Sequence, residues 1–471
     1  MGTDTGVSGE ERFVAQEGVK RVTGESGINR RALLQTAAAS AALVAPATAV
    51  ARSPETSPGK PTRSKETERR EQSMKSGGLS EERLARMHEA MAAHVESGWV
   101  PGLVTLVSRS GDVEADAIGM TAFEGGEPMR RDTLFRILSV TKPITAAAAM
   151  ILVEECVLRL DELVDELLPE LANRQVLRAI DGPLDDTVPA NRPITLRDLL
   201  TFRLGYGAIF MPSPLQEAMA AVGVAPGPVM PEIPADELMA AYGGLPLAHQ
   251  PGTQWLYNSG SEILGVLIAR ATGQSLSKFL RERIFAPLGM KDTGFSVPAD
   301  KLDQFPTAYW TNFETVELEI VDGVADSRWN GPPVFENAAG GLVSTVDDLL
   351  VFGEMMLNNG QYGSERILSR PSIEVMTTDQ LTPEQKAASV FFPGFWDNRG
   401  WGFGVSIITK RDALENTPGR YGWDGGWGTS WYVDPTEGLI GILMTQRVWD
   451  ATGIPRVLLD FWTSAYQAVD N

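Results

Sequence analysis

Ser139-Val140-Thr141-Lys142 lies just before an apolar, alanine-rich run at positions 144–153. The alanines and aliphatic side chains of that run predict a buried helix. Residues i and i+3 share one face of a helix, so a Ser139 at the first turn comes within reach of the Lys142 amine. The serine hydroxyl then also faces the positive end of the helix dipole. The spacing predicts a serine nucleophile with a neighbouring base.

The chemistry requires this pairing because a serine hydroxyl is a weak nucleophile at neutral pH. A lysine whose pKa is lowered by burial can remove the hydroxyl proton. A helix-capping serine beside a solvated lysine gives the same short pattern, so Ser-x-x-Lys alone does not identify an enzyme. The interpretation depends on residues elsewhere in the chain.

The composition is that of an ordinary globular protein, with 43% hydrophobic and 22% charged residues in a chain of 471. This length allows two or three structural units. The formal net charge is −20, and an acidic surface is repelled by the phosphates of nucleic acid. We therefore expect no nucleic-acid partner.

Cysteine and histidine offer little chemistry. Cys156 is the only cysteine, so the chain forms no internal disulfide, and its apolar neighbours predict a small core residue. His88 and His94 are six residues apart in one candidate helix, which is neither the i+3 nor the i+4 spacing of a metal-binding pair. We predict no metal site.

Positions 1–51 are predicted to be a twin-arginine signal peptide, because Arg30 and Arg31 precede an apolar run that ends in small residues. The alternative is an amphipathic or disordered extension that is not cleaved. Positions 52–79 are rich in polar residues and predict a disordered linker. We expect a periplasmic or extracellular protein, with a cytoplasmic one as the alternative. No later run is long and apolar enough to span a bilayer, so stable membrane insertion is not expected.

The folded part is predicted to begin at Ser80, which precedes a helix, followed by a hairpin of strands at 102–107 and 113–118. Further helices are predicted at 163–171, 196–202, 235–242, 262–272 and 276–285, after a cap at Ser344 or Thr345, and at 455–468. Strands are predicted at 315–321, 401–408, 429–433 and 439–445.

Sheet pieces at both ends with helices between them predict one α+β domain over positions 80–471. The sheet part comprises about 80–155 and 340–471, and the inserted helical domain about 156–339. A connection at 211–234 is rich in Pro, Gly, Ala and Met, and its length predicts a lid or pocket wall. We expect the active site at the junction of the two parts.

Two distant stretches carry further chemistry. Tyr257-Asn258-Ser259 follows a turn and precedes a helix, and a phenol beside a lysine ammonium can act as a second base. Trp423-Asp424-Gly425 precedes a strand, where glycines let a backbone N–H approach a developing oxyanion. Taken singly, the first is more typical of a core tyrosine and the second of a glycine-aromatic turn.

In this order and at these separations, the stretches at 139–142, 257–259 and 423–425 resemble the three signature motifs of the serine β-lactamase and penicillin-binding-protein superfamily. The resemblance is closest to the class C-like group that includes the family VIII carboxylesterases. Pro251-Gly252-Thr253 and the phrases at 287–290 and 340–345 support it. It covers roughly residues 80–468.

The resemblance implies an antiparallel sheet flanked by helices that packs against a helical domain. It implies Ser139 as the acylated nucleophile, Lys142 as base or proton shuttle and Tyr257 as its partner. The oxyanion hole would consist of the backbone N–H groups of Ser139 and Gly426. Ser259, Trp423, Asp424 and Gly425 would contact the substrate. The implied chemistry is acyl transfer through an acyl-enzyme, usually to water, without metal or organic cofactor.

The departures from the family pattern bear on the substrate. Ser259 stands where lactamases and peptidases usually carry asparagine, and Trp423 where they carry lysine or histidine. An indole cannot pair with the carboxylate of a penicillin or peptide as a cation can, although Arg420 or Arg447 could supply such a charge.

The sequence therefore favours a carboxylesterase acting on a small-molecule ester of short or medium acyl length. One alternative is a β-lactamase or D-alanyl-D-alanine carboxypeptidase of the same fold. The second is a non-catalytic ligand-binding protein of this fold. The oligomeric state is left open.

Overall fold

The computed structural model describes residues 78–227, 229–312, 314–389, 391–449 and 454–470. The predicted signal peptide at 1–51 lies outside the described residues, as does the predicted linker apart from positions 78 and 79. Within the described ranges, no helix combines the length and apolar character needed to cross a membrane.

The strands of the described residues are β1 (Gly102–Arg109), β2 (Asp112–Gly119), β3 (Phe135–Arg136), β4 (Gln175–Leu177), β5 (Thr187–Pro189), β6 (Ala308–Thr311), β7 (Leu318–Asp322), β8 (Val343–Ser344), β9 (Gln361–Tyr362), β10 (Glu365–Arg366), β11 (Arg399–Trp401), β12 (Ser406–Ile408), β13 (Tyr421–Gly425), β14 (Thr429–Asp434) and β15 (Leu439–Thr445). Seven of them form the main sheet in the order β11-β12-β13-β14-β15-β1-β2, and all of its pairs are antiparallel. Because β1 pairs with β15, the two ends of the folded chain meet in one sheet, as the predicted α+β fold requires.

The α-helices are α1 (Glu81–Glu96), α2 (Thr141–Glu154), α3 (Leu196–Leu200), α4 (Pro214–Ala221), α5 (Ala235–Gly244), α6 (Ser259–Thr272), α7 (Leu276–Leu280), α8 (Ala286–Leu288), α9 (Val346–Leu357), α10 (Arg370–Met376), α11 (Pro383–Ala388) and α12 (Arg456–Gln467). Short 3₁₀ turns occupy Leu138–Val140, Pro169–Leu171, Ala299–Gln304 and Phe395–Asp397, and a π-helical turn, Arg281–Phe285, follows α7.

Helices cover both faces of the main sheet. On β1, Leu103 and Val107 pack among residues of α1 and α12, whereas Val104 and Leu106 face the core that includes α2 and α9. Side chains of a strand alternate between the faces, so burial of all eight β1 residues requires a layer on each side. The sequence-predicted architecture of a sheet flanked by helices is confirmed.

The segment that carries the serine is held between two parts of the fold. Strand β3 pairs with β8, with Phe135 opposite Ser344. The 3₁₀ turn and α2 follow directly, and α2 packs against α6. All residues of α2 from Thr141 to Leu152 are buried, which confirms the predicted buried helix.

Three sequence predictions were wrong in detail. The stretch 163–171 is not a helix: Leu163 pairs with Thr195 in a β-bridge, and only a short 3₁₀ turn forms at its end. The strand predicted at 401–408 is divided into β11 and β12 by a turn in which Gly404 has φ of 71°. Cys156 is exposed, because it follows the end of α2 instead of lying on its buried face.

Candidate active site

Ser139 and Lys142 are in direct contact. The 3₁₀ turn places the serine one turn before the lysine, and Lys142 Nζ lies 2.8 Å from Ser139 Oγ and 2.7 Å from the carbonyl oxygen of Ala339. The lysine side chain is fully buried, whereas Ser139 is partly exposed. Burial lowers the pKa of Lys142 to about 7, opposed by the charge of Glu262. The amine can therefore be neutral near physiological pH and accept a proton.

Tyr257 completes the group around the serine. Its hydroxyl donates a hydrogen bond of 2.8 Å to Ser139 Oγ and accepts one of 2.6 Å from the indole N–H of Trp423. Burial raises the pKa of Tyr257 above its ordinary value, so the phenol keeps its proton. Of the two candidate bases, the geometry and the charges favour Lys142 as proton acceptor and Tyr257 as a hydrogen-bonding relay.

Trp423 belongs to an aromatic cluster around Tyr257. Its ring lies 5.6 Å from that of Tyr257 and 4.8 Å from that of Trp401, almost perpendicular to the latter. Phe202 and Trp255 extend the cluster behind the tyrosine. The indole thus supplies a neutral N–H donor in a rigid apolar setting.

Two backbone N–H groups are available for an oxyanion. No described residue accepts a hydrogen bond from the N–H of Ser139 or Gly426, and both residues line the same cavity. Gly425 lets β13 lie against the nucleophile segment, since an added Cβ would meet the Ile137 carbonyl oxygen at 2.4 Å. Leu138 adopts a left-handed φ of 44°, a conformation that costs about 1–2 kcal/mol and is fixed by its buried surroundings.

Other predicted residues are placed differently. Ser259 is fully buried at the start of α6, its hydroxyl is hydrogen-bonded to that of Tyr242 at 3.0 Å, and it does not line the cavity. Asp424 lines the cavity, but Ser430 and Tyr432 donate to its two oxygens. The structure brings the predicted catalytic residues together, but it does not bring Ser259 to the substrate space.

The cavity beside Ser139 has a volume of about 380 Å³. Pro226, Gly227 and Met230 of the connection at 211–234 form part of its wall, as the sequence predicted. Phe391 and Phe395 contribute aromatic surface near Trp423. Such a largely apolar space with a few converging polar groups is typical of a small-molecule site.

A family model described as beta-lactamase matches residues 87–453. The chain belongs to the beta-lactamase family. Protein Rv1367c of Mycobacterium tuberculosis (strain ATCC 25618 / H37Rv) is 38% identical over 361 residues, which cover 75% of this chain and 87% of that protein. Esterase EstB of Burkholderia gladioli is 30% identical over 372 residues, which cover 75% of this chain and 88% of the esterase.

The fold is also found in a solved structure. EstCE1, described as a hydrolase with promiscuous acyltransferase activity, superposes with a TM-score of 0.68 at 23% sequence identity, covering 82% of this chain and 98% of that one. This likeness shows the β-lactamase fold. The family and the esterase relative together support a hydrolase of that fold.

Glu262 lies beside the predicted site residues, and the sequence analysis did not single it out. It is 3% exposed, lines the cavity and accepts hydrogen bonds from Tyr242 at 2.7 Å, Asn258 at 3.1 Å and Asn337 at 3.2 Å. Burial raises its pKa, but three donors on its two oxygens favour the carboxylate.

Two asparagines connect Glu262 to the segments that carry Tyr257 and contact Lys142. Asn258, next to Tyr257, has an unfavourable φ of 88°, and its side chain is anchored on Glu262 four residues later. Asn337 accepts the N–H of Ala339, whose carbonyl binds Lys142. The only sequence feature that could have indicated this contact is the i+4 spacing of Asn258 and Glu262, which places their side chains on one face of a helix.

We expect Glu262→Gln to move the acidic limb of the pH profile of kcat/KM to lower pH, because the Glu262 charge raises the pKa of Lys142. Glu262→Ala is expected to lower the free energy of unfolding by about 2–3 kcal/mol, since buried donors lose their acceptor. Rates from pH 5 to 9 and thermal unfolding measure the two effects. Glu89→Gln, on the exposed side of α1, is the control, and an acidic limb that stays in place would contradict the coupling.

Proposed function

We propose that this protein is a carboxylesterase that hydrolyses esters of short or medium acyl chains through an acyl-enzyme on Ser139. The observation that carries the proposal is the position of Ser139 Oγ, 2.8 Å from both Lys142 Nζ and Tyr257 Oη at the wall of a mainly apolar cavity. Trp423 supports a substrate whose part next to the indole is uncharged, because an indole cannot act as the counterion of a carboxylate.

In the proposed reaction, Ser139 Oγ bonds to the ester carbonyl carbon while its proton passes to neutral Lys142. The N–H groups of Ser139 and Gly426 stabilise the resulting oxyanion. When the intermediate collapses, the bond to the alcohol oxygen breaks, and the proton returns from Lys142 to that oxygen directly or through the Tyr257 hydroxyl. Water then attacks the acyl carbon and gives a proton to Lys142. As the bond from that carbon to Ser139 Oγ breaks, the proton passes from Lys142 to Oγ, and the carboxylic acid and free Ser139 are released.

The relatives support this choice of substrate class. One is named an esterase, and the solved structure is described as a hydrolase with promiscuous acyltransferase activity. Both reactions share an acyl-enzyme and differ in whether water or an alcohol receives the acyl group. A β-lactamase or D-alanyl-D-alanine carboxypeptidase would use the same serine but needs to hold a carboxylate close to the third motif.

A direct comparison of substrates tests the proposal. We expect p-nitrophenyl butyrate to be turned over with a kcat/KM at least about tenfold above that of a chromogenic cephalosporin, because Trp423 provides no cation for the cephalosporin carboxylate. Steady-state and pre-steady-state absorbance measure both reactions on the same preparation. Faster turnover of the cephalosporin than of the ester would contradict the esterase assignment and favour a β-lactamase. If neither substrate is turned over and no burst of p-nitrophenol appears, the remaining alternative is a non-catalytic ligand-binding protein of this fold.

A further inference from the structure

The lining of the catalytic cavity extends from β13 to α12, and we call the part next to α12 its second lobe. Arg399 and Arg420 line this lobe, together with Tyr432 and the apolar residues Leu458 and Leu459 of α12. Leu459 is 45% exposed, so the lobe has an open apolar rim. None of these residues takes part in the ester hydrolysis proposed at Ser139.

Arg420 forms the inner wall of the lobe. It is 3% exposed, and its guanidinium lies between the rings of Tyr432 and Trp462, with its central carbon 4.1 Å and 3.9 Å from their centroids. Nη1 donates to the carbonyl oxygen of Glu415 at 3.1 Å, but Nε and Nη2 have no acceptor among the described residues. A buried guanidinium with two nitrogens that lack an acceptor is costly unless a ligand supplies one.

Arg399 is the more accessible of the two arginines. Its Nη1 donates a long hydrogen bond of 3.4 Å to the Tyr432 hydroxyl, and the residue is only partly buried. In the part of the chain that the structure describes, no carboxylate oxygen lies within 4.0 Å of either guanidinium.

The lobe also contains two acidic residues, and neither neutralises the arginines by contact. The Asp424 oxygens accept hydrogen bonds from Ser430 and Tyr432, and burial raises the pKa of this carboxyl. Glu415 meets Arg420 through its backbone carbonyl. The charges of Asp424 and Glu415 act on Arg399 without direct contact, whereas Nε and Nη2 of Arg420 are left without an acceptor among the described residues.

We propose that Arg399 and Arg420 bind a carboxylate that the substrate carries in addition to its scissile ester. The inference rests on the proposed esterase function and narrows it to esters of dicarboxylic acids or of carboxylate-bearing alcohols. A guanidinium matches a carboxylate with two parallel N–H donors, and the stacked rings hold that of Arg420 in a fixed plane. The subsite lies on the other side of β13 from Trp423, so the neutral environment of the ester and the charged end of the substrate are separated.

Matched substrates test the subsite. On the acyl side, p-nitrophenyl hydrogen adipate is compared with p-nitrophenyl methyl adipate; on the alcohol side, 4-carboxyphenyl hexanoate is compared with 4-carbamoylphenyl hexanoate. We expect the carboxylate ester of one pair to have a kcat/KM about tenfold or more above its neutral match, mainly through KM, as a charged hydrogen bond provides. The pair that shows the preference identifies the part of the substrate that enters the lobe.

Arg399→Gln should abolish that preference by raising KM for the carboxylate ester to that of its neutral match. Arg411→Gln is the control, because Arg411 is exposed on the same stretch of chain and does not line the cavity. Arg420→Lys keeps the positive charge but loses the two parallel N–H donors of the guanidinium. This variant should retain the fold and weaken the preference for the carboxylate ester. Equal rates within both pairs in the wild type, or an unchanged preference in Arg399→Gln, would overturn the subsite. Failure to hydrolyse any of the four esters would instead overturn the esterase proposal.

Discussion

Replacement of Ser139 by alanine is expected to lower kcat/KM for p-nitrophenyl butyrate by at least about 10³-fold. The hydroxyl is the only group that both lies against Lys142 and Tyr257 and lines the cavity in the described structure. Without it no acyl-enzyme forms, and the remaining oxyanion donors can assist only a direct attack by water. The burst of p-nitrophenol should disappear together with the steady-state rate.

The design of this experiment must separate chemistry from folding. Ser139 is partly exposed and lies in a short 3₁₀ turn, so loss of its oxygen leaves the surrounding core intact. Thermal unfolding should therefore remain close to that of the wild type. Ser97→Ala, an exposed serine after α1, serves as the matched control. Turnover that survives Ser139→Ala, or a mass increase by the acyl group in that variant, would refute the nucleophile.

The contact between Ser139 and Lys142 could be predicted from the sequence because the two residues are close together in the chain. Ser139 and Lys142 are three residues apart, and one turn of helix brings their side chains together whatever surrounds them. Tyr257 and Trp423 are far away in the chain, and only the order of the motifs in a known family indicated that they would meet the serine. The structure adds that Trp423 acts on Tyr257 by donating its indole N–H.

Contacts made by tertiary packing alone were not predictable. The Glu262 network joins α6 to Asn337, and the Arg420 stack joins β14 to α12, each across a separation that no sequence period encodes. The apolar pattern at 163–171 suggested a helix, but pairing with Thr195 provided a competing partner. Ser259 matched a family position by sequence, whereas its hydroxyl is turned to Tyr242 in the core.

Lys142→Met is expected to lower kcat/KM by about 10²–10⁴-fold, the usual effect of removing a general base. Methionine has a similar length and carries no charge, so it can occupy the buried site without an ion to desolvate. The wild-type kcat/KM should rise with pH through about 7, because burial lowers the lysine pKa to that value and only the neutral amine accepts the serine proton. Below the pKa the ammonium form predominates and the rate falls.

Tyr257→Phe distinguishes this assignment from a phenolate base. The phenol holds its proton across the neutral range, since burial raises its pKa. Its loss should therefore reduce kcat and leave the midpoint of the acidic limb near that of the wild type. Lys278→Met, at an exposed position of α7, should alter neither the rate nor the midpoint. An acidic limb that persists in the residual activity of Lys142→Met, or that vanishes in Tyr257→Phe, would transfer the role of base from Lys142 to Tyr257.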